Sequence, residues 1–254
     1  MTRLHDKTIL ITGASSGFGE EMARQAAAKG ARIGLLARRG DKLEALSAEL
    51  TALGARNAWR TADVRDADGL HTALDELASE LGGVDIVVAN AGIGHPTPAH
   101  RTPIEEVLGI YQTNLNGALH TIHWAIPKML EQKHGHIVGI ASLASFLGLP
   151  ATSSYCGAKA ALRLHLQSLR QDLKPKNIQV TTICPGFVRT PLTDGNKHPM
   201  PFMWDCDRAV RRMIGAIEAN RGQDSFPFPL VAALWLGQLL PASLTERFLG
   251  GFRA

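Results

Sequence analysis

The chain has 254 residues, 45% hydrophobic and 20% charged, enough to bury one α/β core without staples or a second domain. Its net charge of +4 comes from dispersed basic residues, which makes no case for a nucleic-acid partner. The three cysteines, Cys156, Cys184 and Cys206, are odd in number and lack metal-ligand spacing, so no disulfide framework is expected and a reducing compartment is.

The stretch Met1 to Lys7 lacks the apolar core of a signal peptide. No run reaches the roughly 18 apolar residues of a membrane span, so the expectation is a cytoplasmic protein with no transmembrane segment. Thr8 to Thr12 reads as a strand, and a glycine-rich stretch to Gly19 leads into a helical pattern over Glu20 to Lys29. In that context Gly13 permits a tight bend, and Gly17 and Gly19 let the backbone approach a pyrophosphate at the helix N-terminus. Ser15 and Ser16 add hydroxyls. Further apolar runs at Arg32 to Ala37, Ala58 to Asp63, Asp85 to Asn90, His136 to Ala141 and Gln179 to Cys184 alternate with helical patterns. This predicts a single doubly wound, Rossmann-type α/β domain, its mainly parallel sheet covered by helices on both faces and its ligand at the carboxyl ends of the strands.

The end of the second run bears on cofactor choice. Folds that bind NAD place a carboxylate there, on the ribose 2′-hydroxyl. Here Ala37 holds that position and Arg38 and Arg39 follow, a pair suited to a 2′-phosphate, so NADP(H) is the expected cofactor. Further on, Ser142 stands where a strand meets a loop. If a helix runs from Ser154 to about Leu173, Tyr155 and Lys159 share one of its faces, and the ammonium is expected to lower the phenol pKa towards the working range. Ser142 is then a hydrogen-bonding group for a substrate oxygen beside that phenol. His120 and His123 share a helical face, and His95, His100, His134 and His136 lie in or beside loops. None has the converging carboxylates or thiolates of a metal site, so no metal is expected.

The segment at about 191–205 is rich in proline and apolar groups and reads as a substrate loop, in which Met200 and Trp204, with Phe146 and Leu149, enclose a mainly hydrophobic pocket. A helix over Asp207 to Asn220 and a short strand at Gln223 to Phe226 follow. The apolar C-terminal extension at about 227–254 begins with a proline-bracketed helix, expected to be a lid or a subunit interface ahead of a membrane-surface contact.

Thr12-Gly-x-x-x-Gly-x-Gly19, Asn90-Ala-Gly92, Asn114, Ser142, Tyr155-x-x-x-Lys159 and Pro185-Gly186 occur in one order over roughly residues 5 to 225. In that set and order the sequence resembles the short-chain dehydrogenase/reductase family. The resemblance implies that Asp63 and Val64 contact adenine, that Asn90 and Gly92 line the cofactor, and that Pro185, Gly186, Val188 and Thr190 lie on its nicotinamide side. It implies that Asn114 holds a water in a proton relay through Lys159. Phe18 replaces the usual branched aliphatic residue and implies altered packing at the phosphates, and Ala89 replaces a common asparagine. The activity implied is NADP(H)-dependent interconversion of a ketone and a secondary alcohol, with an apolar small-molecule substrate. In it Tyr155 is the acid/base, Ser142 holds the carbonyl oxygen and Lys159 binds the nicotinamide ribose. A homo-oligomer, dimer or tetramer, is implied too, although the unusual C-terminus argues against the common tetramer. The alternatives are a non-redox enzyme of epimerase or dehydratase type, and a non-catalytic dinucleotide-binding protein on the same scaffold.

Overall fold

The computed structural model describes residues 4–194, 199–241 and 243–245. Its strands are β1 (Thr8–Thr12), β2 (Arg32–Ala37), β3 (Asn57–Thr61), β4 (Ile86–Ala89), β5 (Gly135–Ile140), β6 (Ile178–Pro185) and β7 (Gln223–Phe226). They form one seven-stranded sheet in the order β3-β2-β1-β4-β5-β6-β7, parallel throughout. The helices are α1 (Gly17–Ala27), α2 (Gly40–Ala52), α3 (Ala67–Leu81), α4 (Ile104–Tyr111), α5 (Gly117–Gln132), α6 (Ser153–Leu173), α7 (Cys206–Glu218) and α8 (Phe228–Leu239).

The strands are apolar on both faces because both faces are covered. Along β1, Ile9 and Ile11 join a core with α1, α2 and α7, while Leu10 between them joins a second core with α3, α5 and α6. The same alternation puts Ile86 and Val88 on one side of β4 and Val87 on the other. The winding runs outward from β1 in both directions, so the crevice between β1 and β4 opens at their carboxyl ends.

The end of β3 differs from expectation. β3 stops at Thr61: Ala62 makes a last backbone bond to Ala37 O, and Asp63 turns its carboxylate onto the backbone N–H and guanidinium of Arg65. The short strand expected at Gln223–Phe226 is present with those bounds and pairs in full with β6. Among the described residues no helix is long and apolar enough to cross a membrane.

At the opposite, amino end of the sheet, His136 is 2% exposed. Its Nε2 lies 2.8 Å from Thr181 Oγ1, whose own hydroxyl donates to Arg221 O at 2.7 Å, so Nε2 carries a proton. Burial, with Arg170 nearby, pushes its pKa from 6.5 down to about 4. The unfolded chain therefore takes up a proton that the folded one refuses, and stability falls as pH drops from about 6.5 to about 4, by about 3 kcal/mol at most. Urea midpoints measured across that window should fall less steeply in His136→Gln, which keeps a donor near Thr181; an unchanged slope would mean that other groups carry the acid sensitivity.

Candidate active site

β1 ends at Thr12, and Gly13 turns the chain with φ +70°. A side chain at Gly19 would collide with Gly13 O at 2.5 Å, so the helix can begin this close to the strand only with glycine there. No side chain caps the first turn of α1, which leaves backbone N–H groups at its N-terminus for an anion. Thr12 and Asn90 tie the turn to β4. The Thr12 hydroxyl donates to Val88 O and accepts from the N–H groups of Asn90 and Ala91, and the Asn90 amide donates to Thr12 O at 2.9 Å. Asn90 thus holds the crevice in shape from beneath.

Across the crevice, Ser142 starts a 3₁₀ turn after β5, its oxygen accepting from Ala144 N at 3.1 Å. Tyr155 lies in the first turn of α6 within hydrogen-bonding reach of Ser142, and Lys159 one turn on points its ammonium to Ile140 O at 2.8 Å. Lys159 is 4% exposed, and burial brings its pKa from 10.5 down to about 8. The expected fall in the Tyr155 pKa is not found. Burial raises it, with Ser142 pulling the other way, and the Lys159 ammonium stands 5.9 Å from the ring centre, engaged with a carbonyl.

Asn114 is fully buried in a single π turn, Gln112–Asn116, between α4 and α5. Its side chain reaches across to the segment after β4 instead of bonding locally: Oδ1 accepts from Ile93 N and Nδ2 donates to Ile93 O, both at 2.8 Å. One N–H and one lone pair remain. A Cβ at Gly92 would stand 3.2 Å from Asn114 Oδ1 and 3.6 Å from Lys159 Nζ, so these two converge there, while Tyr155, 5.9 Å from the ammonium at its ring centre, links Lys159 to Ser142. Sequence reasoning missed Ile93 and Gly94. The Tyr155 ring and Leu192 both close on Gly94, where a Cβ would meet them at 3.4 and 3.5 Å.

On the other flank Arg39 donates to both serine hydroxyls of the glycine turn, Ser15 at 2.9 Å and Ser16 at 2.8 Å. It borders a cleft of about 360 Å³ that Lys42, Arg24, Glu20, Glu49 and Pro191 also line. Arg24 grips both Glu20 and Glu49 at 2.7 Å, and among the described residues neither Arg39 nor Lys42 has a carboxylate partner. Lys42 was not foreseen. Arg38 is exposed and lies 3.9 Å from Asp63, whose carboxylate is held chiefly by Arg65. Val64 is buried against Gly117, and Phe18, in the first turn of α1, packs on the core.

Pro185 ends β6, and Gly186 N donates to Phe226 O. Val188 is buried and bridges Trp204, while Thr190 comes beneath Gly17. Of the expected substrate residues, Phe146 packs with Leu230 and Leu234 of α8 under the Arg163 guanidinium, and Leu149 and Met200 are half-buried. Trp204 belongs to the body of the protein. Its ring stacks on Phe226 at 5.1 Å and packs against the core, and its backbone bridges to Val188. Part of the substrate loop, 195–198, and of the extension, 242 and 246–254, lie outside the described residues. The inner side of α8 covers Leu143 beside Ser142, and its outer side leaves Phe228 and Leu239 75% and 82% exposed.

The family model described as short chain dehydrogenase matches residues 7–200. The chain belongs to the short-chain dehydrogenase family. It is 41% identical over 246 residues to an uncharacterized oxidoreductase of Myxococcus xanthus, covering 97% of each chain. It is 30% identical over 234 residues to 1-deoxy-11-beta-hydroxypentalenate dehydrogenase of Streptomyces exfoliatus, covering 88% of this chain and 82% of the relative. A short-chain dehydrogenase/reductase of Burkholderia phymatum, solved in complex with NAD, superposes with a TM-score of 0.88 at 23% identity over 94% of this chain and 95% of the other, a likeness of fold.

In this short-chain dehydrogenase the buried ammonium weighs on the fold. With its pKa down to about 8, charged Lys159 costs the folded state about 3 kcal/mol below pH 8, a penalty relieved as pH rises towards 10.5. Lys159→Met lifts it and leaves Ile140 O unpaired, at about 1–3 kcal/mol. The melting temperature of the variant at neutral pH is therefore expected to hold or rise; a fall of about 5 °C or more would show that the ammonium stabilises the fold.

Proposed function

We propose that the protein is an NADP(H)-dependent oxidoreductase that interconverts a ketone and a secondary alcohol, with Tyr155 as the general acid and base and an apolar substrate. The observation that carries this reading is the meeting of Ser142, Tyr155, Lys159 and Asn114 beside the glycine turn. The uncapped first turn of α1 and the close approach at Gly19 fit a dinucleotide pyrophosphate. Arg39, Lys42, Ser15 and Ser16, with Ala37 in place of an acid, fit a 2′-phosphate. When bound, the nicotinamide supplies or takes the hydride. In reduction the neutral Tyr155 phenol gives its proton to the carbonyl oxygen, and the Ser142 hydroxyl donates a hydrogen bond to the same oxygen. Lys159, with one N–H on Ile140 O, keeps two for the nicotinamide ribose. Asn114 pins Ile93 and with it the wall at Gly94, and its spare N–H and lone pair suit a relaying water. Apolar substrates fit a site walled by Leu192 and flanked by Phe146, Leu143 and α8. A homo-oligomer belongs to the same reading, supported by the exposed apolar side of α8.

The kinetic test is the rate of NADPH and NADH oxidation over ketones graded from small and polar to large and apolar. Turnover should favour NADPH and apolar ketones. Tyr155→Phe should lose about 10²–10⁴ in rate. Arg39→Ala should weaken NADPH about tenfold or more while sparing NADH, the loss of a charge-assisted bond. Activity surviving in Tyr155→Phe would sink the mechanism, and an equal effect of Arg39→Ala on both cofactors would sink the phosphate assignment.

The raised Tyr155 pKa sets a direction in pH. The phenol is protonated at neutral pH, so ketone reduction is expected to run there, whereas alcohol oxidation needs the phenolate and should climb from about pH 7 to pH 10 in kcat/KM. A flat oxidation profile over that range would contradict a general base with a raised pKa.

A further inference from the structure

His123 on α5 and His165 on α6 are far apart in the chain, and their Nε2 atoms face each other at 3.3 Å. The ring centres are 5.4 Å apart and the planes inclined by 46°. The backbone beside each is fixed: Ile122 and Trp124 flank His123, Leu166 follows His165, and all three are buried in the same core. His123 is exposed and His165 half-buried, so the pair is open to solvent.

Without a bound ion, the facing nitrogens share at most one proton, at a distance beyond the usual N–H donor range of about 2.7–3.2 Å. As ligands of one ion they fit better. Two imidazole nitrogens at about 2.0–2.1 Å from a tetrahedral centre stand about 3.3–3.4 Å apart, against about 2.9 Å for neighbouring octahedral positions at the same bond length. Among the described residues no group of three or more His, Cys, Asp or Glu converges, so water completes the coordination.

We propose that His123 and His165 form a two-imidazole site for a divalent transition-metal ion of the zinc type, bridging α5 and α6. The nitrogen donors suit zinc, nickel or copper and not magnesium or calcium. His165 lies ten residues beyond Tyr155, about 15 Å along the helix, so the ion takes no part in proton transfer. Its effect is to staple the helix that carries Tyr155 and Lys159 to the one that follows the π turn of Asn114.

The test is calorimetric titration of the full chain, stripped of metal, with Zn²⁺, beside thermal melts with and without Zn²⁺, in wild type, His123→Asn and His165→Asn. Wild type should bind one Zn²⁺ per chain and melt higher with it, with no response to Mg²⁺. Both variants should melt as wild type does without metal and lose both effects. Co²⁺ bound in wild type should show the intense visible bands of tetrahedral coordination. The proposal is overturned if wild type binds no Zn²⁺, if either variant binds it with unchanged affinity, or if bound Co²⁺ shows only the weak octahedral bands.

Discussion

A single hydrogen bond, from the Lys159 ammonium to Ile140 O, sets the geometry of the site. It fixes α6 against the carboxyl end of β5, and so fixes Tyr155 one turn earlier in the helix and Ser142 two residues beyond the carbonyl. The ammonium has been taken out of water to do this, and its lowered pKa records the cost. A group held at such expense, beside a phenol that burial keeps protonated, suits proton transfer better than it suits folding.

The other flank shows how neighbouring charges decide what a cleft can hold. Two carboxylates line it, which by themselves would repel a phosphate. Arg24 pairs with both, and with Arg39 and Lys42 the lining carries three positive charges against two negative, so the cleft stays net positive. Arg39 is also preorganised, because the serines of the glycine turn hold its guanidinium at the place where that turn meets α1.

What the sequence made legible follows physical rules that act locally. Strands buried on both faces read as apolar runs, and Tyr155 and Lys159 meet because a helix brings every fourth residue round. What stayed hidden depends on partners distant in the chain. Ile93 gives no sign that Asn114 will reach it, and the spacing of Lys42 says nothing of its cleft. The loop position of Trp204 gives no sign that its ring will stack on Phe226 or its backbone bridge to Val188. The direction of the Tyr155 shift was misjudged because helical spacing shows a neighbouring charge, whereas desolvation comes from the whole packed surround.

The π turn at Gln112–Asn116 has a geometric consequence. An extra residue in one turn of a continuous helix shifts the phase of everything after it, so the side chains before and after the turn point to different compass bearings about the axis. The segment before it packs against α6, and the segment after it packs against α3, β4 and β5. One unbroken rod thereby serves two surfaces that a regular helix could not face at once, and Asn114 sits where the bearing changes.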